Sequence, residues 1–256
     1  MAVMFAARGY AIEMTVLHTR YLGFDPELVD YSQAWELQRR LHAQILAGES
    51  DSTLLLLEHA DVYTAGKRTE PQDRPADGTP VIDVDRGGKL TWHGRGQLVG
   101  YPLLHLQDRS SVKDYVCTLE NVIIKILAED YSISATRVEG RSGVWLTDNH
   151  NVRKIAAIGI RVHRSVTMHG FALNCSNELA PFGNIIPCGI SDASTTTISA
   201  ELGRTITPAD IAPRIAEELQ AVLPRYVSSR ADAASPDATD LLAASKESTL
   251  KEEVSR

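Results

Sequence analysis

Residues Arg153 to Ile190 read RKIAAIGIRVHRSVTMHGFALNCSNELAPFGNIIPCGI. The apolar run that follows Lys154, from Ile155 to Ile160, predicts a buried β-strand, and Ser165 to Leu173 predicts a second one. A short connection through His163-Arg164 would make the two strands a hairpin. This stretch therefore predicts the centre of a β-sheet, and the rest of the chain is interpreted around it.

The same stretch ends in a cysteine, Cys188, between Pro187 and Gly189. If the chain folds back after the second strand, Cys188 can return to the sheet near Lys154. A thiol attacks as its thiolate, and a nearby cation lowers the ordinary thiol pKa of about 8.5. Gly189 would leave backbone N–H groups open to an oxyanion. Alternatively, Cys188 is a small buried apolar side chain and Lys154 is a solvated strand end.

Predicted strands and helices alternate on both sides of this stretch. The predicted strands are Thr15–Tyr21, Thr53–Glu58, Val81–Val84, Leu90–His93, Leu98–Leu106 and Gly143–Leu146, and the predicted helices are Tyr31–Ala47, Ser111–Tyr131 and residues 208 to about 223. We expect Leu90–His93 to pair with Leu98–Leu106, a capping box at Ser111 with Asp114, and a helix cap at Thr207 followed by a proline in the first turn. The fold class is therefore α/β, a mixed β-sheet flanked by helices.

The composition excludes several classes of protein. The 256 residues carry a net charge of −7, which argues against nucleic-acid binding, and no window is apolar enough to span a membrane. The three cysteines form no C-x-x-C pair, which argues against a zinc site. With no secretory signal at the start, they predict a cytoplasmic protein. We expect residues 1–227 to form one domain and residues 228–256 to be a mobile tail.

Several motifs together resemble one family, the lipoyl(octanoyl) transferases. They are KIAAIGIRV from Lys154, TMHGFALN from Thr167, IIPCGI from Ile185, and RGGKLTWHGRGQLVGYPLLHL from Arg86. The resemblance covers roughly residues 21 to 223, in order and with matched spacing. The chain departs from the family pattern at Arg95, where proline is usual, at Ser165, where tryptophan is frequent, and at Glu178, where aspartate is usual.

The resemblance implies the catalytic fold of biotin and lipoate protein ligases, and acyltransferase activity. An octanoyl or lipoyl group would pass from acyl carrier protein to a specific lysine of a lipoyl-accepting domain, the first step of endogenous protein lipoylation. Cys188 would carry the acyl group as a thioester, and Lys154 would assist it. The implied acceptors are lipoyl domains of 2-oxo acid dehydrogenase complexes and the glycine cleavage H protein. The implied enzyme is a monomer that uses no cofactor and no metal.

The resemblance also implies a set of substrate-binding residues. They are Arg86, Gly87, Gly88, Lys89, Leu90, Thr91, Trp92, His93, Ala157, Ile158, Gly159, Gly170, Phe171 and Ala172. The small side chains among them would leave an acyl channel beside the sheet, although the same small residues would also allow close packing of strands. We expect His93 to be a hydrogen-bonded structural histidine. Candidate basic residues for docking an acidic partner are Arg141, Arg153, Arg161 and Arg164.

Three other functions remain open at this point. An ATP-dependent lipoate or biotin ligase would have a related fold, but it would have no need of a thiol nucleophile such as Cys188. A non-catalytic protein that holds a fatty acyl chain would retain binding after Cys188→Ala. A cysteine hydrolase would have to admit water to the acyl-enzyme. Transfer of octanoate from a carrier thioester without ATP would distinguish the transferase from the ligase.

Overall fold

The computed structural model describes residues 17–75, 79–108, 111–148, 151–185 and 193–228. Its strands are β1 (His18–Gly23), β2 (Thr53–Leu57), β3 (Val62–Ala65), β4 (Val81–Asp83), β5 (Leu90–His93), β6 (Gln97–Leu103), β7 (Thr136–Val138), β8 (Arg141–Asp148), β9 (Asn151–His163), β10 (Val166–Asn174) and β11 (Ser194–Thr195). The helices are α1 (Tyr31–Leu46), α2 (Val112–Tyr131), α3 (Ile198–Leu202) and α4 (Pro208–Val222), with 3-10 turns at Pro71–Asp73, Ala180–Asn184 and Leu223–Tyr226.

The predicted hairpin is confirmed, with its turn one residue later than expected. Strands β9 and β10 are antiparallel, and His163 pairs with Val166. The turn residues are therefore Arg164 and Ser165, with φ angles of 48° and 65°. Positive φ at both central turn residues matches the right-handed twist of the flanking strands. The hairpin keeps its register without a glycine in the turn.

The hairpin lies inside a mixed sheet whose strand order is β1-β2-β6-β10-β9-β8-β7, with β11 added parallel to β9. A separate small sheet has the order β4-β3-β5. The expected pairing of β5 with β6 is wrong, because β5 pairs with β3 and β6 lies between β2 and β10. Every residue of β6 is buried, so this strand needs a neighbour on each side. The loop between β5 and β6 therefore joins two sheets.

Helices cover both faces of the large sheet, as the fold class predicted. Leu54 and Leu56 of β2 face a core that is completed by α2 and α4. Leu55 and Leu57 face the opposite way, into a smaller core with α1. The four consecutive leucines from Leu54 to Leu57 predict a strand covered on both faces, and the burial of all five residues of β2 confirms it. Burial on both faces explains why β2 is a continuous apolar run.

The capping box predicted at Ser111 does not form, whereas Thr207, predicted as a helix cap, forms a full capping box. Thr207 accepts from the backbone N–H of Asp210, and the Asp210 carboxylate accepts from the backbone N–H of Thr207. The Ser111 side chain makes no cap bond to α2 and instead donates to the carbonyl of Asp108, at 2.5 Å. The cause is visible in the backbone, because ψ of Ser111 is near 0° rather than extended.

This difference predicts unequal costs for two alanine substitutions. Thr207→Ala should lower the free energy of unfolding by about 1 kcal/mol, because it removes a formed cap. Ser111→Ala should cost less than half as much, since its hydroxyl satisfies no helix N–H group. Urea unfolding followed by far-ultraviolet circular dichroism measures both. Equal losses for the two variants would contradict this account of the caps.

Parts of the sequence predictions lie outside the described residues. These parts are residues 15 and 16 of the first predicted strand, Cys188, and residues 229–256 of the predicted tail. Ser228, the first residue of that tail, is buried, and its backbone N–H donates to the carbonyl of His105 at 2.9 Å. Of the described helices, none is long and apolar enough to cross a bilayer.

Candidate active site

A cavity of about 250 Å³ lies over the β9–β10 hairpin, with Tyr31 at the start of α1 on one side and β5 on another. It contains Lys154 and all of the predicted binding residues except Leu90 and Trp92. Residues of its lining that the sequence analysis did not select are Tyr31, Arg68, Tyr101, Gly140, Ser142 and His169. Arg141, selected only for docking, also lines it.

Leu90 and Trp92 face away from the cavity, contrary to the expectation for the binding set. They pack with Phe182 and Ile185 in a small core behind β5. The reason is strand alternation, because successive side chains of β5 point to opposite faces. Thr91 therefore lines the cavity together with His93, the last residue of the strand.

The loop after β4 is fastened to the sheet by Arg86. This buried guanidinium donates to the carbonyls of Thr64, Gly87 and Lys89 at 2.9 to 3.0 Å, and to the Thr64 hydroxyl at 2.9 Å. The backbone N–H of Gly87 donates to the carbonyl of Ile160 on β9 at 3.0 Å. Arg86 thus shapes the cavity wall by holding its own loop closed.

Two different structural reasons explain why small side chains occur in the cavity wall. A Cβ on Gly170 would lie 2.2 Å from the carbonyl oxygen of Gly100, so this glycine permits close approach of β6. A Cβ on Gly159 would lie 3.2 Å from Arg86 Cδ, so this glycine admits the Arg86 loop. Ala172 is buried, lines the cavity and belongs to the α1 core. The packing alternative therefore explains Gly170 and Gly159, and Ala172 is left as the direct test of a channel.

Lys154 is buried in the cavity wall, with an exposed fraction of 6%. Lys154 on β9 pairs with Trp145 on β8, and Lys154 Nζ lies 4.5 Å from the centroid of the Trp145 ring. An ammonium over an aromatic face is stabilised by the ring quadrupole, the more so when water is excluded. The alternative of a solvated strand end is therefore wrong.

A buried carboxylate lies behind Lys154. Glu120 of α2 accepts from the backbone N–H of Gly143 at 2.7 Å. Burial raises the pKa of Glu120, while this hydrogen bond and the charges of Arg137 and Lys154 oppose the increase. Gly143 has φ of +117°, and a Cβ there would lie 2.5 Å from the Ala156 carbonyl and 3.2 Å from Lys154 Cε. This glycine therefore leaves room for the lysine side chain.

Cys188 lies outside the described residues. The described chain resumes at residue 193, where Ser194 pairs with Arg153 and Thr195 pairs with Lys154. The other cysteines differ in environment. Cys175 is fully buried, and burial raises its thiol pKa far above the ordinary value. Cys117 is half-buried on α2.

Tyr31, His93, Tyr101 and His169 line the cavity, and His59 lies next to it in contact with Tyr101. His59 Nδ1 lies 2.9 Å from the Val29 carbonyl and its Nε2 lies 2.8 Å from the Tyr101 hydroxyl. Burial lowers the pKa of His59 to about 4, so the ring is neutral, donates to Val29 and accepts from Tyr101. The rings of Tyr31 and His93 stack with centroids 5.9 Å apart.

Asp85 and His169 form a second polar pair. His169 Nε2 lies 2.8 Å from Asp85 Oδ1, and Arg161 contacts the other carboxylate oxygen. Burial by itself would raise the pKa of Asp85, but the hydrogen bond from His169 and the positive charge of Arg161 lower it to about 2. The carboxylate is therefore ionised at neutral pH. His169 has a left-handed backbone, with φ of 58°.

Among the candidate docking arginines, Arg153 and Arg161 are engaged in ion pairs. Arg153 bonds Glu201 and Asp148, and Arg161 bonds Asp85. Charge reversal at either position would break a structural contact, which makes these two residues unsuitable probes of docking. Arg95, where the family usually has proline, forms an exposed ion pair with Asp25 at 2.9 Å.

One missed residue had a signal in the sequence, and others had none. His169 lies inside the TMHGFALN motif, and a polar residue in a strand otherwise predicted to be buried marks a special environment. Tyr31 and Arg68 come from segments distant in the chain, so only folding brings them to the cavity. Among the described residues, no group of three or more His, Cys, Asp or Glu side chains is placed to hold a metal ion.

Comparisons with known proteins agree with this architecture. The family model for the lipoyl protein ligase A/B catalytic domain matches residues 30–220. A protein of Pseudarthrobacter chlorophenolicus named octanoyltransferase is 61% identical over 201 residues, which are 78% of this chain and 90% of the relative. An octanoyltransferase of Salinispora tropica is 53% identical over 213 residues, 82% of this chain and 96% of the relative.

Solved structures show the same fold at low sequence identity. P. falciparum LipL1 in complex with lipoate has a TM-score of 0.60 at 15% identity, covering 83% of this chain and 64% of that protein. The bipartite lipoate protein ligase of Thermoplasma acidophilum has a TM-score of 0.59 at 10% identity, covering 81% and 84%. These neighbours confirm the predicted likeness to lipoate ligases in fold.

Proposed function

The chain belongs to the lipoyl protein ligase A/B catalytic domain family and, within it, to the octanoyltransferases. We propose that it transfers an octanoyl group from acyl carrier protein to a lysine through Cys188. The enzyme is an acyltransferase by this membership. The donor, the covalent intermediate and the lysine acceptor are the proposed parts. We further propose residues 1–227 as one catalytic domain, which the family match over residues 30–220 supports.

The observation that carries the proposal is the burial of Lys154 in the cavity wall. A buried, water-excluded ammonium is a strong electrostatic partner for a thiolate. The position of Ser194 supports a Cys188–Lys154 pair. Ser194 is six residues after Cys188 (194 − 188), and it pairs with Arg153, the residue before Lys154 on β9. Thr196 then donates its backbone N–H to the carbonyl of Lys154 at 3.0 Å.

The proposed reaction has two balanced half-reactions. The Cys188 thiolate attacks the thioester carbon of the donor, a Cys188–acyl bond forms, and the carrier thiolate leaves with a proton from the Lys154 ammonium. In the second half-reaction the acceptor lysine, which has first released its ammonium proton to water, attacks the acyl carbon as a neutral amine, and the neutral Lys154 amine takes the second proton from its nitrogen. An amide forms and the Cys188 thiolate leaves. Lys154 thus ends in the form in which it began.

The energetics of these steps need no nucleotide. The first half-reaction exchanges one thioester for another, so it is nearly isoenergetic, and the second produces a stable amide. An acceptor lysine has an ordinary pKa of about 10.4, so it must release one proton to water before it can attack, and a base is required for the proton that its nitrogen loses as the amide forms. Water must be kept from the thioester, so we expect docking of the acceptor to cover the cavity mouth.

We propose lipoyl domains of 2-oxo acid dehydrogenase complexes and the glycine cleavage H protein as acceptors. These acceptors follow from the family. A protein of similar fold, the bipartite lipoate protein ligase of Thermoplasma acidophilum, has an E2 lipoyl domain as its partner. Arg68 and Arg141 line the cavity, where they would face an acidic carrier or acceptor. Such steering weakens as ionic strength rises.

Intact-protein mass spectrometry tests the proposed function. Mixing the protein with octanoyl-acyl carrier protein, without ATP or magnesium, should add the mass of one octanoyl group at Cys188. The adduct should disappear when a lipoyl domain is added, and that domain should gain the same mass on one lysine. An absolute requirement for ATP and free octanoate would instead support a ligase, and rapid loss of the adduct to water would support a hydrolase.

The acyl channel gives a prediction at Ala172. An eight-carbon chain gains about 0.8 kcal/mol for each buried methylene. Ala172→Leu should therefore lower octanoyl transfer by at least about tenfold more than butanoyl transfer, measured as kcat/KM in the same preparation. Comparing two substrates in one variant cancels any loss of folded protein. Equal losses for both chain lengths would show that Ala172 does not line the acyl channel.

A further inference from the structure

A line of hydrogen bonds connects the cavity to the strand beside Lys154. The carbonyl of Thr196, whose N–H bonds Lys154, accepts from Asn174 Nδ2 at 3.0 Å. Asn174 Oδ1 accepts from Gln97 Nε2 at 2.9 Å, and Gln97 Oε1 lies 2.8 Å from His93 Nδ1. All four linked residues, from Thr196 to His93, are buried. The two ends belong to different parts of the site.

The chemistry of the carbonyl end fixes the direction of every bond in this line. A backbone carbonyl only accepts, so the amide nitrogen of Asn174 must face Thr196 and its oxygen must face Gln97. The Gln97 nitrogen then donates to Asn174, and it also faces a second backbone carbonyl, that of Trp92, at 3.4 Å. The Gln97 oxygen is left for His93, so His93 Nδ1 carries the proton.

His93 is therefore a neutral imidazole with a defined tautomer. Burial, and to a lesser extent the nearby His59 ring, lowers the pKa of His93 to about 3. His93 Nε2 is therefore unprotonated at neutral pH. His93 lines the cavity. In the described part of the chain, Nε2 has no hydrogen-bond partner. A lone pair that faces the cavity can accept a hydrogen bond from a ligand that carries an N–H or O–H group.

We propose that Gln97 and Asn174 are positioning residues that hold His93 as a hydrogen-bond acceptor for a substrate N–H group. This inference rests on the proposed function for the identity of the substrates. The octanoyl chain and its thioester carry no donor. Two N–H groups come close to the reacting carbon, the amide of a pantetheine-type thiol and the amine of the acceptor lysine. Either would bond the same lone pair.

Nitrogen-15 spectroscopy of histidine-labelled protein tests the tautomer directly. The wild-type His93 signals should show a protonated Nδ1 and an unprotonated Nε2. Gln97→Leu should abolish that pattern, while Gln97→Glu, which retains an acceptor oxygen for Nδ1–H, should preserve the protonated Nδ1. Gln107→Leu is the matched control, since Gln107 is exposed and bonds the Arg225 carbonyl away from this line. A wild-type spectrum with the proton on Nε2 overturns the proposal.

Kinetics of the two half-reactions distinguish the two N–H sources. The donors are the octanoyl thioesters of N-acetylcysteamine, which has an amide N–H, and of a simple alkanethiol, which has none. If His93 binds the amide, Gln97→Leu should slow acylation by the first donor by about tenfold and leave the second unchanged. If it binds the lysine amine, only transfer to the lipoyl domain should slow by a similar factor.

Unchanged rates for Gln97→Leu in both half-reactions would overturn the inference. Equal slowing of acylation by both donors and of transfer to the acceptor would also overturn it. A loss that does not depend on a substrate N–H group is the result expected from a general structural defect. Failure of the wild-type protein to form any octanoyl adduct would instead refute the proposed function. The tautomer measurement is independent of that outcome.

Discussion

Changing Cys188 to alanine should lower octanoyl transfer by at least about 10³-fold, because it removes the nucleophile that carries the acyl group. The variant should form no octanoyl adduct with octanoyl-acyl carrier protein. Cys188→Ser should also lose turnover, since a hydroxyl is far less acidic than a thiol and its ester passes on the chain less readily. Steady-state transfer to a lipoyl domain, together with intact mass, measures both variants.

The two remaining cysteines supply matched controls for this result. Cys175 is fully buried and its raised pKa disfavours the thiolate, and Cys117 is half-buried on α2. Cys117→Ala and Cys175→Ala should therefore retain most of the activity of the folded protein. An octanoyl adduct on another residue, or full activity in Cys188→Ala, would refute the covalent mechanism.

Lys154→Met should slow both half-reactions by about 10²- to 10⁴-fold, the usual contribution of a positioned acid–base group. Methionine keeps much of the length and apolar volume of lysine beside Trp145, so the loss reports the missing ammonium. Without that cation the Cys188 thiolate is less stable. Alkylation of Cys188 by iodoacetamide should therefore require a higher pH in the variant than in the wild type.

Lys154→Arg separates the two roles of the lysine. Arginine keeps the positive charge but is not deprotonated near neutral pH, so it cannot act as the base. The pH dependence of Cys188 alkylation should stay close to wild type, while transfer to the acceptor lysine remains slow. An unchanged alkylation profile in Lys154→Met would rule out the electrostatic role, and normal transfer in Lys154→Arg would rule out the role as a base.

Local sequence patterns determined the secondary structure that carries the site. Alternating and continuous apolar residues predicted the β9–β10 hairpin and the doubly buried strand β2. The pattern of apolar residues along a strand reflects which of its side chains are buried. The Thr207-Pro208-Ala209-Asp210 signal predicted the start of α4 and its N-terminal cap. Lys154, selected as a lysine before an apolar run, is indeed buried in the cavity wall. Its role with Cys188 stays a prediction.

Tertiary structure decided which of these elements meet. The pattern of β5 and β6 gave no sign that they belong to different sheets, since periodicity reports burial and not the identity of a neighbouring strand. The same limit applies to Gly170, whose missing side chain is explained by the backbone of Gly100 on another strand. It applies also to the line from Thr196 to His93. His93 and Gln97 are close in sequence, but Asn174 and Thr196 come from a distant segment, and only contact in the fold fixes which ring nitrogen of His93 carries the proton.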